Sequence, residues 1–186
     1  TPPDTIVYKT FTRPMLPHVA LPTTFSGAEV NAGGGIRVRD RDSKYVFSAP
    51  QLAPRVAVLA PRLALGFPPD LMAGSALNCL AHGVEALYSR HAQPMADALA
   101  LGAIGLIAEW LPRAVAAPGD LEARGRLLIA SAMAGLALTN AKVCVHHAMC
   151  HVLGARYGIH HGLANAVMLP HAMEFNRAAA REPLSR

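Results

Sequence analysis

Charged residues make up only 16% of this 186-residue sequence, and aromatic residues only 5%. Set beside 52% hydrophobic residues, the first shortage excludes a disordered chain, which carries high charge and few apolar side chains. The second argues against nucleic-acid binding, where aromatic rings beside basic charge stack on bases. Cysteine is scarce and odd in number: Cys79, Cys144 and Cys150 lie on apolar stretches without a C-x-x-C motif. They read as buried thiols of a reducing compartment, so a cytoplasmic location is expected. No signal peptide precedes the first apolar run. Uninterrupted apolar runs fall short of the roughly 20 residues that a bilayer demands. Asp97 and Glu109 bracket residues 96–110, and Asn140 and Lys142 interrupt residues 127–143. Both stretches are expected as buried core helices of a protein without a membrane partner.

Acidic side chains are outnumbered, 12 against 17 basic, for a net charge of +5. Much of the excess lies in Arg37, Arg39, Arg41, Lys44, Arg55 and Arg62, which read as solvated surface positions. An anionic small-molecule substrate or a phosphate-bearing cofactor suits this balance.

Two regions differ in texture. Residues 1–66 hold short β-branched runs (18–21, 36–38, 45–47 and 56–59) separated by Pro, Gly and Asp turns, as strands and loops do. Residues 70–186 are rich in Ala, Leu and Met at helical spacing. The boundary is Gly66-Phe67-Pro68-Pro69-Asp70, with Asp70 expected to N-cap the first helix. Gly33-Gly34-Gly35 lacks G-x-G-x-x-G spacing and a following helix, so a hairpin turn is expected there rather than a phosphate cradle.

What is abundant is histidine, and it is clustered. Six of nine histidines fall within 26 residues: His146, His147, His151, His160, His161 and His171. Upstream, Asn78 and His82 stand four residues apart, as do His147 and His151, so each pair shares one face of a helix. Over residues 77–88 the apolar positions form one stripe, while Asn78, His82 and Glu85 form a second, narrow polar stripe. That helix should be buried nearly all round, its polar stripe lining a cavity. A further helix is expected over 141–153, stopping at Gly154 or Gly158, with Val145, Met149 and Val152 packed on one side. His161 should stand at the entrance of the helix carrying 162–169, which Pro170 kinks or ends. Three neutral imidazoles, His82, His147 and His161, with an open position describe a catalytic zinc-type or ferrous site. Asn78 would be a weak fourth ligand, because its amide oxygen carries no charge.

Five passages resemble one family. L-P-T-T-F-S-G-A-E-V (21–30), L-G-F-P-P (65–69), N-C-L-A-H-G-V-E-A-L-Y-S (78–89), H-H-A-M-C-H-V-L-G (146–154) and H-G-L-A-N-A-V-M-L-P-H-A-M (161–173) are similar to the iron-containing alcohol dehydrogenases. Within that family they resemble most the maleylacetate reductase branch. The resemblance implies a dehydroquinate synthase-like, α+β multidomain fold. Residues 1–66 would be the C-terminal part of an NAD(P)-binding α/β domain, and residues 70–186 the first part of an all-α helical domain. It also implies that the chain is an internal fragment, whose glycine-rich phosphate loop would lie upstream. Metal-dependent members use an Asp and three His; the Asp position matches Asn78, and the histidines match His82, His147 and His161. His151 matches a histidine near substrate and nicotinamide, and Thr23 and Thr24 match a threonine pair that approaches the dinucleotide.

The expected function is therefore NAD(P)H-dependent reduction of maleylacetate or a similar anionic substrate by hydride transfer. NAD(H) or NADP(H) is the cofactor, His147 and His151 are the catalytic groups, and the full-length enzyme is expected to be a homodimer. Asn78 departs from the metalloenzymes and is what the maleylacetate reductases, regarded as working without metal, look like. H-G-L-A-N-A is closer to the alcohol dehydrogenases, which keeps open an enzyme using Fe²⁺ or Zn²⁺ as Lewis acid. A catalytically incomplete helical remnant is the third reading.

Overall fold

The computed structural model describes residues 6–8, 12, 15–38 and 43–185. Five short strands come first: β1 Ile6–Tyr8, β2 Val19–Ala20, β3 Gly33–Val38, β4 Ser43–Ser48 and β5 Val56–Ala57. Five helices follow: α1 Pro69–Tyr88, α2 Pro94–Ala116, α3 Leu121–Ala141, α4 Val145–Tyr157 and α5 His161–Asn176. The architecture is α+β, a partial α/β unit followed by an all-α one.

β4 is the central strand of a three-stranded sheet, parallel to β1 and antiparallel to β3, with Gly33 opposite Ser48 and Val38 opposite Ser43. Gly33-Gly34-Gly35 thus opens a strand and is not a turn. Gly34 faces the Phe47 ring, where a Cβ would lie 3.2 Å from Cζ, so the missing side chain makes room for an aromatic. Arg39 and Arg41, between these strands, lie outside the described residues, as do the side chains of Arg37 and Lys44. Arg55 and Arg62 are exposed, as expected of solvated cations. β2 and β5 form a separate parallel pair, Val19 opposite Val56, close to two of the β-branched runs.

The helical unit is built on small residues. α2 buries Ala96, Ala100, Ala103, Ile107, Trp110 and Ala114, positions three and four apart that make one narrow stripe. Its other side, including Met95, Leu101 and Val115, is exposed, so residues 96–110 are a one-sided helix rather than a wholly buried one. α2 is long and apolar enough to cross a membrane, at mean hydropathy 1.4. Its buried stripe instead meets α1 and α3, where Met72, Ala76, Cys79, Leu127, Leu128 and Ala134 complete the main core. Arg124, on α3, is buried inside this unit; its guanidinium donates to Ala64 O, to Pro118 O at 2.6 Å and to Phe67 O at 3.4 Å. It ties α3 to the segment that leads into α1.

Several helix ends differ from expectation. Pro68, not Asp70, occupies the N-cap of α1, and no side chain caps it. Proline at the first position suits a helix start because its missing N–H has no intrahelical acceptor to lose. Asp70 stands in the first turn, where a negative charge complements the dipole. α4 begins at Val145 rather than 141, because α3 runs on through Ala141 and stops at Lys142, whose φ is 64°. The turn that follows bends the chain by 106°. α4 ends at Gly158, the second of the two expected stops, with φ 66°. α5 passes through Pro170 to Asn176; burial of Leu169 and Ala172 on either side outweighs the one hydrogen bond that proline removes.

Candidate active site

The site forms where α4 and the N-terminus of α5 meet the polar stripe of α1. α1 and α5 come into near backbone contact: a Cβ on Gly162 would lie 2.8 Å from Gly74 C. Gly74, Asn78 and His82 follow one another at spacings of four, so this contact sets His161 beside the face that carries the amide and the first imidazole.

The expected residues come together. The His82 and His147 rings stack, centroids 4.7 Å apart and planes at 27°. His147 lies 6.1 Å from His161 and 6.2 Å from His151, and His151 lies 5.7 Å from His161, all between centroids. Asn78 Oδ1 is 3.3 Å from His147 Nε2. Asn78, His82 and His147 are buried, while His151 and His161 are half-buried. His171 and His160 are exposed. Val152, expected to pack, is 49% exposed. α4 is therefore inverted relative to a simple apolar-inside reading: its buried residues are His146, His147 and Cys150. The reason is that the facing surface of α1 is itself polar.

The residue whose weight the sequence conceals is Glu85. It is fully buried, yet its Oε1 accepts from the backbone N–H of Cys144 and His146 at 3.0 Å each and of His147 at 3.4 Å. Those are free amides at the start of α4, so Glu85 caps a helix 59 residues away, and the dipole adds to the attraction. Its Oε2 lies 2.5 Å from His147 Nδ1. His146 Nε2 donates to Asn165 O at 3.0 Å, and its Nδ1 lies 3.2 Å from His147 Nδ1. Ligand-type atoms of Glu85, His146 and His147 fall within 4.8 Å of one another, but hydrogen bonds already engage them. They form a carboxylate–imidazole network. Its only sequence signal was the third member of the narrow polar stripe.

Burial first, then the neighbouring His147, His161, His146 and His151, hold the His82 pKa well below the usual histidine value. His82 is therefore neutral, the state a metal ligand requires. Burial likewise lowers the pKa of His146. The cysteines are free, and burial pushes the Cys79 thiol up to about 12 and the Cys150 thiol up to about 11, so neither supplies a thiolate near neutral pH. In donor type, His82, His147 and His161 fit a divalent iron or zinc ion, for which imidazole is a suitable ligand; Asn78 adds no charge.

Thr23 and Thr24 line a separate cleft of about 290 Å³ with His18, Leu21, Pro22 and Glu29. Thr24 Oγ1 lies 3.1 Å from Ser26 Oγ. The loop is pinned to the helices: Phe25 N donates to Ser75 Oγ at 3.1 Å and Gly27 N to Ser131 Oγ at 2.7 Å. Gly27 has φ 71° and abuts Gly135, where a Cβ would lie 2.7 Å from Gly27 O.

A partial α/β unit feeding a helical unit with a buried histidine cluster is the architecture of the dehydroquinate synthase-like proteins. The sequence model of the Fe-containing alcohol dehydrogenase family, C-terminal, matches residues 72–186; the chain belongs to the iron-containing alcohol dehydrogenase family. It is 38% identical over 168 residues to maleylacetate reductase 2 of Cupriavidus pinatubonensis, covering 90% of this chain and 46% of that protein. It is 40% identical over 175 residues to a 1,3-propanediol dehydrogenase of Klebsiella pneumoniae, covering 94% and 45%. The crystal structure of maleylacetate reductase from Agrobacterium tumefaciens superposes with TM-score 0.85 at 32% identity, over 90% of this chain and 47% of that one. The chain thus spans about half the length of the curated relatives it matches.

Proposed function

We propose that the protein carrying this chain is an NAD(P)H-dependent oxidoreductase that reduces maleylacetate or a similar anionic substrate by hydride transfer. The observation that carries this reading is Asn78. It stands within hydrogen-bonding distance of His147 Nε2 in a buried group of imidazoles, where a carboxylate would repel an acid substrate. The N–H groups of α4 and His147 engage both oxygens of Glu85 and offset part of its charge. The cofactor supplies hydride and the protein orients the reactants. His147, through Nε2, and His151 are the groups proposed to polarise the substrate or pass it a proton. Thr23 and Thr24 offer hydroxyls to one part of NAD(H) or NADP(H).

In this proposal residues 1–66 complete a nucleotide-binding α/β domain and 70–186 begin the helical catalytic domain. The whole enzyme would be a cytoplasmic homodimer acting on small molecules, in keeping with three free cysteines.

The metal-dependent alcohol dehydrogenase reading is supported by the neutral, buried His82. When bound at His82, His147 and His161, Fe²⁺ or Zn²⁺ would act as Lewis acid on the substrate oxygen. One experiment separates the two readings: steady-state assays with maleylacetate and with 1,3-propanediol, on protein purified without added metal and assayed for metal. Reduction of maleylacetate by metal-poor enzyme is expected; turnover of the diol alone, dependent on metal, would reverse the assignment. Asn78→Asp should raise divalent-metal affinity at least tenfold, about 1.4 kcal/mol, since a carboxylate adds charge in a low-dielectric pocket. Equal metal content in the two proteins would show that residue 78 is not a ligand.

A further inference from the structure

We infer that Glu85 is a positioning residue that keeps the proton of His147 on Nδ1, making Nε2 the atom that works in the site. This rests on the proposed role of His147. Two acceptors converge on His147 Nδ1. Glu85 Oε2 lies 2.5 Å away. His146 Nδ1, at 3.2 Å, is an acceptor because the same ring uses its Nε2–H to donate to Asn165 O at 3.0 Å. An atom faced by two acceptors has to be the donor. His147 therefore carries Nδ1–H and leaves Nε2 unprotonated. The amide oxygen and nitrogen of Asn78, 3.3 Å from Nε2, exchange places by a half-turn of the side chain, so in this tautomer the Asn78 NH₂ group faces Nε2, the nitrogen that takes and gives a proton or binds a metal. A neutral imidazole holds one proton on either nitrogen, and the hydrogen bond at one nitrogen decides the other.

The same carboxylate places the ring as well as its proton. Through Oε1, Glu85 accepts from Cys144 N, His146 N and His147 N, so it holds the first turn of α4 and the side chain of that turn in one grip. Glu85 and His82 lie on one helix at a spacing of three, so α1 carries both the ring stacked on His147 and the group that orients it. Burial keeps water from competing for either oxygen.

The test is nitrogen-detected NMR on ¹⁵N-histidine-labelled protein together with the Glu85→Gln variant, whose amide oxygen can still cap α4 but whose NH₂ group would face Nδ1. In the native protein His147 should show a protonated Nδ1. In Glu85→Gln the proton should move to Nε2, and affinity for Zn²⁺ should fall about 10–100-fold, while the circular dichroism of the helices is retained. A native His147 with unprotonated Nδ1 overturns the inference, as does an unchanged tautomer in a folded Glu85→Gln protein. If that variant fails to fold, the native tautomer decides alone. Failure to reduce maleylacetate would refute the proposed substrate and leave the Nδ1 assignment standing, so the two failures are distinguishable.

Discussion

Helix α1 meets its neighbours through two faces of opposite character. Toward α2 and α3 it buries Met72, Ala76, Cys79, Ala86 and Leu87 against alanines, Ile107, Leu127 and Leu128. Toward α4 and the start of α5 it presents Asn78, His82 and Glu85, which are just as buried. The apolar face is additive: many small dispersion and hydrophobic terms, none of which chooses a partner group. The polar face depends on each member, because a buried donor or acceptor that loses its partner costs more than the bond contributed. One helix thus holds the fold with one side and specifies the chemistry with the other.

Replacing a residue packed against each face should break them differently. His147→Ala should lower the catalytic rate with the preferred substrate by about 10²–10⁴-fold, the usual worth of a positioned acid or base; a loss below tenfold in steady-state kinetics would remove His147 from that role. Leu128→Ala, on α3 against the apolar face, should cost about 2–5 kcal/mol of stability for a fully buried leucine. That loss should appear in denaturant unfolding, with the specific activity of the folded fraction retained.

Gly162→Ala tests the joint between α1 and α5. Its Cβ would meet Gly74 backbone atoms at 2.8 and 3.0 Å, so the helices must separate, at about 1–3 kcal/mol. Activity should fall further than stability, because His161 moves with the joint. Equal Tm and activity relative to the native protein would show that the approach is relaxed.

Acid loads the polar face alone. His82 and His146 have folded pKa values below the unfolded value of about 6.5. As pH drops below about 6.5 the unfolded chain binds protons that the folded one does not, so stability is complete above that pH and declines below it. Each group contributes at most about 1.4 kcal/mol per pH unit. Tm measured from pH 8 to pH 5 should therefore decline, and a flat profile would mean that these rings are not buried neutral.

What could be read along the chain were the features that depend on neighbours in sequence. The spacings 78/82 and 147/151, the alanine- and leucine-rich helical periodicity and the Gly158 stop are local, and local spacing sets which side chains share a face. Helix limits at Asp70 and residue 141 were misread because cap choice depends on what packs outside the helix, and the choice between a kink and an end at Pro170 depends on the same packing. The packing side of α4 was misread for a similar reason. Apolar residues are expected inward, but the surface waiting for α4 is polar, so His146, His147 and Cys150 turn in while Val152 stays out.

By itself the sequence determined the family, the two-part α+β organisation and the residue types available for chemistry, since these rest on motif order and short-range periodicity. Tertiary structure alone decided the weight of Glu85, the burial of Arg124 and the Gly74–Gly162 joint. Each joins atoms dozens of residues apart, and a hydrogen bond or a steric limit exists only once the chain has brought its two ends together.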